Sequence, residues 1–199
     1  MKKLSVLLGL GLTLLAVACE KSAVDPTDPQ PSQTDQPTGH VTPVGTPDGQ
    51  AVSAQIGPEG GTLQSPDGRF QLIIPAGALS AAQTIQAQPI TNQAPGGKGQ
   101  AVRLTPHGQQ FAKPVTIRFR YTEKDLAGTF AEALGIAYQS DKGTWKIAGA
   151  VTHDAAAKTV SVATTHFSDW SFFEAISLDP AYRVLDPGQN APLAVRCVV

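Results

Sequence analysis

Val115-Thr116-Ile117-Arg118-Phe119-Arg120-Tyr121 decides the fold class. Apolar side chains take every second position (Val115, Ile117, Phe119, Tyr121), and polar ones fall between them (Thr116, Arg118, Arg120). Successive side chains of a strand point to opposite faces, so this run has one face for a core and one for water.

The same period of two repeats on both sides of it. Phe70, Leu72 and Ile74 alternate with Arg69, Gln71 and Ile73, and Ile85 and Ala87 with Thr84, Gln86 and Gln88. Val102 and Leu104 follow, then Ile136 and Tyr138, Trp145 and Ile147, Val160 and Val162. Turn signals separate these runs: Gly60-Gly61, Pro66-Asp67-Gly68, Pro95-Gly96-Gly97, Asp141-Lys142-Gly143, and a longer connection over His153 to Lys158. Only Glu123 to Leu134 has any helical character. The pattern predicts an all-β domain over residues 51–174, an antiparallel sandwich or barrel with wet outer faces. Residues 175–199 hold two turns, Leu178-Asp179-Pro180 and Asp186-Pro187-Gly188, and an alternation at Leu193, Val195 and Cys197. They read as closing strands of the sheet or as the start of a further β segment in a longer protein.

The chain opens with MKKLSVLLGLGLTLLAVAC. Lys2 and Lys3 form a positive start, Leu4 to Val17 an apolar run too short to span a bilayer comfortably, and small residues lead to Cys19. Residues 1–18 therefore read as a lipoprotein signal peptide, and Cys19 as the thiol that takes acyl chains (palmitate among them) and anchors the protein to a membrane. Several chains make a stable anchor where one is marginal. The lipoprotein pattern prefers leucine three places before the cysteine. Ala16 stands there, so the alternative is an ordinary secretory signal cut after Ala18. Glu20, where enteric sorting rules would read aspartate as inner-membrane retention, points to the outer membrane of a bacterial cell envelope.

Residues 20–50 are rich in Pro, Thr, Asp and Gln and contain no aromatic. With Cys19 they read as a lipidated, disordered linker 19–50, because such a segment cannot bury enough apolar surface to offset its ordering entropy. Its reach is about 30 Å as a coil and about 95 Å when extended.

Fifteen basic and sixteen acidic residues leave a net charge of −1, which gives no footprint for nucleic acid. Cys19 and Cys197 are the two cysteines, so a lipidated Cys19 leaves Cys197 to pack as a small hydrophobe or to pair with another chain. His and Cys show no metal-ligand spacing, and no phosphate loop, Gly-x-Ser-x-Gly or paired carboxylates stand out. No metal or cofactor is expected.

Gly57-Pro58-Glu59-Gly60-Gly61-Thr62-Leu63, the strand Phe70 to Ile74, and Ile74-Pro75-Ala76-Gly77-Ala78-Leu79 resemble the opening of a ZU-five (zonula occludens/Unc-five type) domain. Leu104-Thr105-Pro106-His107-Gly108, Phe111 and Lys113-Pro114-Val115 extend the resemblance, which covers about residues 52–173. It implies an antiparallel β-sandwich of the kind found in tight-junction scaffolds, netrin receptors and ankyrins, and in bacterial lipoproteins. On the residues themselves the motif is structural. Gly60-Gly61 permits positive φ, Pro75 ends a strand, and Gly77 turns the chain so that Leu79 can enter the core.

Some death-domain relatives of that family cut themselves between Phe and Ser of a His-Phe-Ser sequence. His166-Phe167-Ser168 matches residue by residue. The Ser168 hydroxyl would attack the Phe167 carbonyl of a strained peptide, with His166 or His153 taking the proton. Two other readings stand beside this self-cleaving domain. Trp145, Trp170 and Tyr138 would form a platform for a glycan in a carbohydrate-binding module. The primary expectation is a membrane-anchored, non-catalytic β-sandwich acting as a spacer or interaction module, with an envelope protein or glycan as partner.

Overall fold

The computed structural model describes residues 41–179 and 194–197. Its strands, in chain order, are β1 (Val52–Ile56), β2 (Gly61–Gln64), β3 (Phe70–Ile74), β4 (Gln83–Ile90), β5 (Gly97–Thr105), β6 (Gln110–Arg120), β7 (Leu134–Gln139), β8 (Trp145–Ile147), β9 (Thr152–Asp154), β10 (Thr159–His166), β11 (Asp169–Glu174), β12 (Ile176–Asp179) and β13 (Ala194–Cys197). Among the described residues no helix is long and apolar enough to cross a membrane.

β1, β4, β5, β11, β7 and β8 form a six-stranded sheet in that order, and β2, β3, β6, β10 and β9 a five-stranded one. Every pairing is antiparallel. The inward side chains of the two sheets make one core, so the domain is a β-sandwich. Val115, Ile117, Phe119 and Tyr121 are all buried, as the alternation along β6 demands. Phe119 ties the layers together. Its ring lies 5.5 Å from Phe70 on the neighbouring strand and 5.4 Å from Phe172 of the opposite sheet. Each such ring or branched aliphatic side chain taken from water contributes about 1.5–3 kcal/mol.

Four features add to the sequence reading or depart from it. Glu123 to Leu134 is not a helix but a series of turns closed by a 3₁₀ turn at Ala131–Ala133. Asp125 accepts from the Thr122 N–H and hydroxyl, and Gly128 sits at φ +81°, so helical winding stops after one turn. β11 is buried on both faces and its register to β5 shifts between Trp170 and Phe172, which explains the broken alternation of its sequence. β12 pairs with β13 in a two-stranded sheet of its own, outside the two sheets of the sandwich.

The fourth is in the linker. Residues 41–50, assigned from composition to a disordered tether, are bound to the sandwich. Val41 bridges to Thr144 and Pro47 to Ile90, at opposite sides of the six-stranded sheet. Their backbone groups find partners on the sheet, an ordering force that composition does not register. The signal segment, Cys19 and linker residues 20–40 lie outside the described residues. Of Cys197, the structure gives only its place in β13.

Candidate functional site

His166-Phe167-Ser168 sits where the chain leaves one sheet for the other. β10 ends at His166 and β11 begins at Asp169. Phe167 is 1 % exposed and its ring stands edge-on to Phe111 at 4.8 Å. Its N–H bonds Gln109 O, while Ser168 O accepts from the Leu104 N–H. The buried Ser168 hydroxyl donates to the Gln139 carbonyl. The His166 ring lies elsewhere, 3.1 Å from Thr164 Oγ1 and stacked near Tyr138 and Trp170. Burial lowers its pKa, the Asp141 carboxylate opposes that and His107 adds to it. His153 contacts the Leu134 carbonyl at 2.9 Å. The structure thus places Phe167 and Ser168 together but sets neither imidazole to take the Ser168 proton. Among the described residues Lys158 is the one non-glycine at positive φ, so the cleavage motif carries no such strain.

A second constellation is one that the sequence does not announce. On the outer face of the six-stranded sheet Gln88, Arg103, Asp169, Gln139 and Trp145 stand opposite one another, each on the next strand: Gln88↔Arg103, Arg103↔Asp169, Asp169↔Gln139, Gln139↔Trp145. They form one row across β4, β5, β11, β7 and β8. Residues 42–49 lie along this row as a strap. Gln88 Nε2 donates to Gly49 O at 2.9 Å and Arg103 Nη2 to Gly45 O at 3.0 Å. Gln139 Nε2 reaches Thr42 O at 3.1 Å and Pro43 O at 3.2 Å, and Trp145 Nε1 reaches Thr42 Oγ1 at 2.9 Å. Most of these donors read main-chain oxygens, so the row holds an extended backbone rather than particular side chains. Arg103 is fixed by Asp169, whose hydrogen bonding raises the guanidinium above its ordinary pKa against a smaller opposing effect of burial. The polar positions of each strand signalled a wet face. What hid the row is its cover, because Gly45 and its neighbours looked like tether.

The geometry of the first hairpins is scaffolding. Gly60 has φ +78°, and a Cβ there would lie 2.4 Å from the Ile74 carbonyl oxygen. Gly61 does not use positive φ. Beyond Ile74, Gly77 at φ +77° bonds Pro58 O through its N–H, and Leu79 is 4 % exposed. Residues 52–131 match the family model of the ZU5 domain. The chain carries a ZU5 domain. A comparison with curated proteins finds no match to the chain.

The ZU5 match includes Gln88 and Arg103 and stops before Gln139, Trp145 and the His166–Ser168 corner. The aromatic platform does not exist as expected. Trp170 is 1 % exposed and pairs across the sheet with Tyr138 on the inward side, whereas Trp145 pairs with Gln139 on the outer side. Trp145 packs with Ala94, Ala137 and Phe173. Three rings on two faces of a sheet cannot stack on one sugar. Between the sheets, the sandwich has a cavity of about 250 Å³ walled by Val102, Phe70, Phe119 and Phe172, with Asp67 and Arg69 at its edge. Arg69 is tied to Asp125 at 2.7 Å. Among the described residues no three His, Cys, Asp or Glu side chains are placed to hold a metal ion.

Proposed function

We propose that the protein is a lipid-anchored, non-catalytic interaction module of the bacterial cell envelope, borne on a tether at the outer membrane. ZU5 domains are protein-interaction modules. The anchoring rests on the run from Lys2 to Cys19, and one structural observation makes the tether purposeful. The chain does not enter β1 directly but is first laid across the sheet and bound by Gln88, Arg103, Gln139 and Trp145. A pull on residues 20–40 meets this strap before it meets the core.

The test is labelling of cells with an alkynyl palmitate, comparing the native chain with Cys19→Ala. The native protein takes label and sediments with outer membrane, while Cys19→Ala is unlabelled and released. An unlabelled native chain in the soluble fraction ends the anchoring proposal. Crosslinking from surface positions of the domain in the same cells gives the interaction half its own test. Discrete crosslinked species support it, and a ladder no different from that of an unfolded control removes it.

A further inference from the structure

On the open face of the five-stranded sheet, Arg118 and Arg120 project from β6 between the buried Ile117, Phe119 and Tyr121. Arg118 stands opposite Gln71 on β3 and Ser161 on β10, and Gln71 opposite Gln64 on β2. Arg120 stands opposite Thr159. The β2–β3 turn at Gly68 and the β9–β10 turn at Ala157 rise on either side. Together they enclose a concavity of about 220 Å³ lined by Gln64, Gln71, Arg118, Arg120 and Thr159. Among the described residues no carboxylate lines it.

The charges in it are uncompensated. Among the described residues neither arginine has an ion pair. The acids nearest in the chain are engaged elsewhere: Asp67 accepts from the Ser65 hydroxyl and the Arg69 N–H, Asp154 from the Ala157 N–H, and Glu123 holds Lys158 at 2.6 Å. Arg118 is also unsaturated. Its Nη1 donates to the neutral Gln71 Oε1 at 2.9 Å, while its Nε is buried with no hydrogen-bond partner among the described residues. A buried donor left unmade is costly, and buried polar groups in folded proteins are as a rule paired. Apart from that bond, the Gln71 amide has only a 3.5 Å contact to Gln64, so an anion competing for Arg118 can displace it. A group with two oxygens on one centre would then take the Nε and a terminal nitrogen of Arg118 together, the bidentate geometry guanidinium prefers. Arg120, two residues along the same face, supplies a second cation, and Gln64 and Thr159 neutral hydrogen-bonding groups.

We propose that this concavity is a binding site for an oxyanion, the phosphate or carboxylate group of a larger molecule. The site lies on the sheet opposite the one that carries the strap, so a bound component does not compete with residues 42–49 for it. The inference rests on the sandwich alone and stands whether or not Cys19 is acylated.

The test uses the full chain, isotope-labelled in a zwitterionic detergent, with inorganic phosphate and galacturonate titrated separately at constant ionic strength against chloride. The Arg118 Nε–H resonance is expected to move saturably, with an apparent Kd in the millimolar range. Arg120→Gln, an exposed change that leaves the fold intact by thermal melting, weakens it at least fivefold, and in Arg118→Gln the backbone amides of Arg120 and Thr159 no longer shift saturably. Saturation by phosphate alone supports the site and assigns it to phosphorylated components. Saturation by galacturonate alone supports it and assigns it to acidic sugars, and saturation by both defines a general oxyanion site. Non-saturating shifts shared with the resonance of Arg103, or an unchanged midpoint in Arg120→Gln, overturn the proposal.

Discussion

Arg103 and Asp169 meet fork to fork across β5 and β11, with Nε and Nη2 of the guanidinium 2.8 and 2.7 Å from the two carboxylate oxygens. The same Nη2 holds the Gly45 carbonyl at 3.0 Å, so a sheet pairing and the strap share one side chain. Asp169 is 4 % exposed in its side chain and Arg103 25 %.

Removing the cation therefore harms more than the strap. Arg103→Leu leaves the Asp169 carboxylate buried without its partner, a change that costs about 3 kcal/mol when one half of a buried pair is lost. Urea unfolding should show that loss, and a protease should cut within residues 41–50 faster than in the native chain. Arg103→Leu combined with Asp169→Leu should recover most of the stability but not the protection of the strap. A loss below about 1 kcal/mol in the single variant would mean the pair is solvated and of little consequence.

Two glycines separate backbone strain from steric contact. Gly68 has φ +68° but open space, and a Cβ there would meet nothing nearer than Gln64 Nε2 at 3.4 Å. Gly60 has a similar φ, but a Cβ there would lie 2.4 Å from the Ile74 carbonyl oxygen. Gly68→Ala should cost about 1–2 kcal/mol, the penalty of a left-handed conformation for a residue with a Cβ. Gly60→Ala should cost clearly more, because the turn after Ile74 has to move. Equal denaturant midpoints for the two would refute the close approach.

The strands were legible where one face is wet. Val115 to Tyr121 keeps strict alternation, and Phe70 to Ile74 keeps it except at Ile73, because the outer face of the five-stranded sheet is open to solvent. The sequence of β11 has no clean parity, the mark of a strand buried on both faces or bulged, and the structure has both: Trp170 and Phe172 face the core while Ser171 and Phe173 are covered from outside, with a register shift between Trp170 and Phe172. The strap escaped. Thr42 to Gly49 is ordered by hydrogen bonds that others donate to its carbonyls, and those donors, Gln88 and Gln139, are 39 and 97 residues from their partners in the chain. Composition reports what a segment can bury, not what can bind its backbone. The His166–Ser168 motif was found by resemblance, but its chemistry depends on where a hydroxyl points, which three letters do not specify.

That direction yields a prediction for the motif. Full-length protein held for days near neutral pH should run as one band on a denaturing gel, and Ser168→Ala should look identical. The Ser168 hydroxyl donates its hydrogen bond to the Gln139 carbonyl, which is not a base, and the His166 ring meets the Thr164 hydroxyl. Ser168→Ala instead reads on stability, with a loss of about 1 kcal/mol for the missing hydrogen bond. A nick at Phe167–Ser168 that Ser168→Ala abolishes would restore the self-cleaving reading.

His166 sets a pH dependence of definite sign. Burial holds its imidazole below the ordinary value, with the Asp141 carboxylate working against the shift and His107 with it. The unfolded chain, free of that burial, takes up the proton first as pH falls, and a proton bound more readily by the unfolded state drains stability from the fold. The contribution of His166 is therefore complete above the ordinary imidazole value of about 6.5 and is lost as pH drops from there toward the lower value of the folded state. The thermal midpoint should fall between about pH 7.5 and 5, and His166→Gln, which keeps a polar group beside Thr164 and cannot titrate, should flatten that fall. Proton NMR of the His166 ring reads the same quantity directly. An inflection above that of an unfolded peptide would mean Asp141 outweighs burial, and the slope would then reverse.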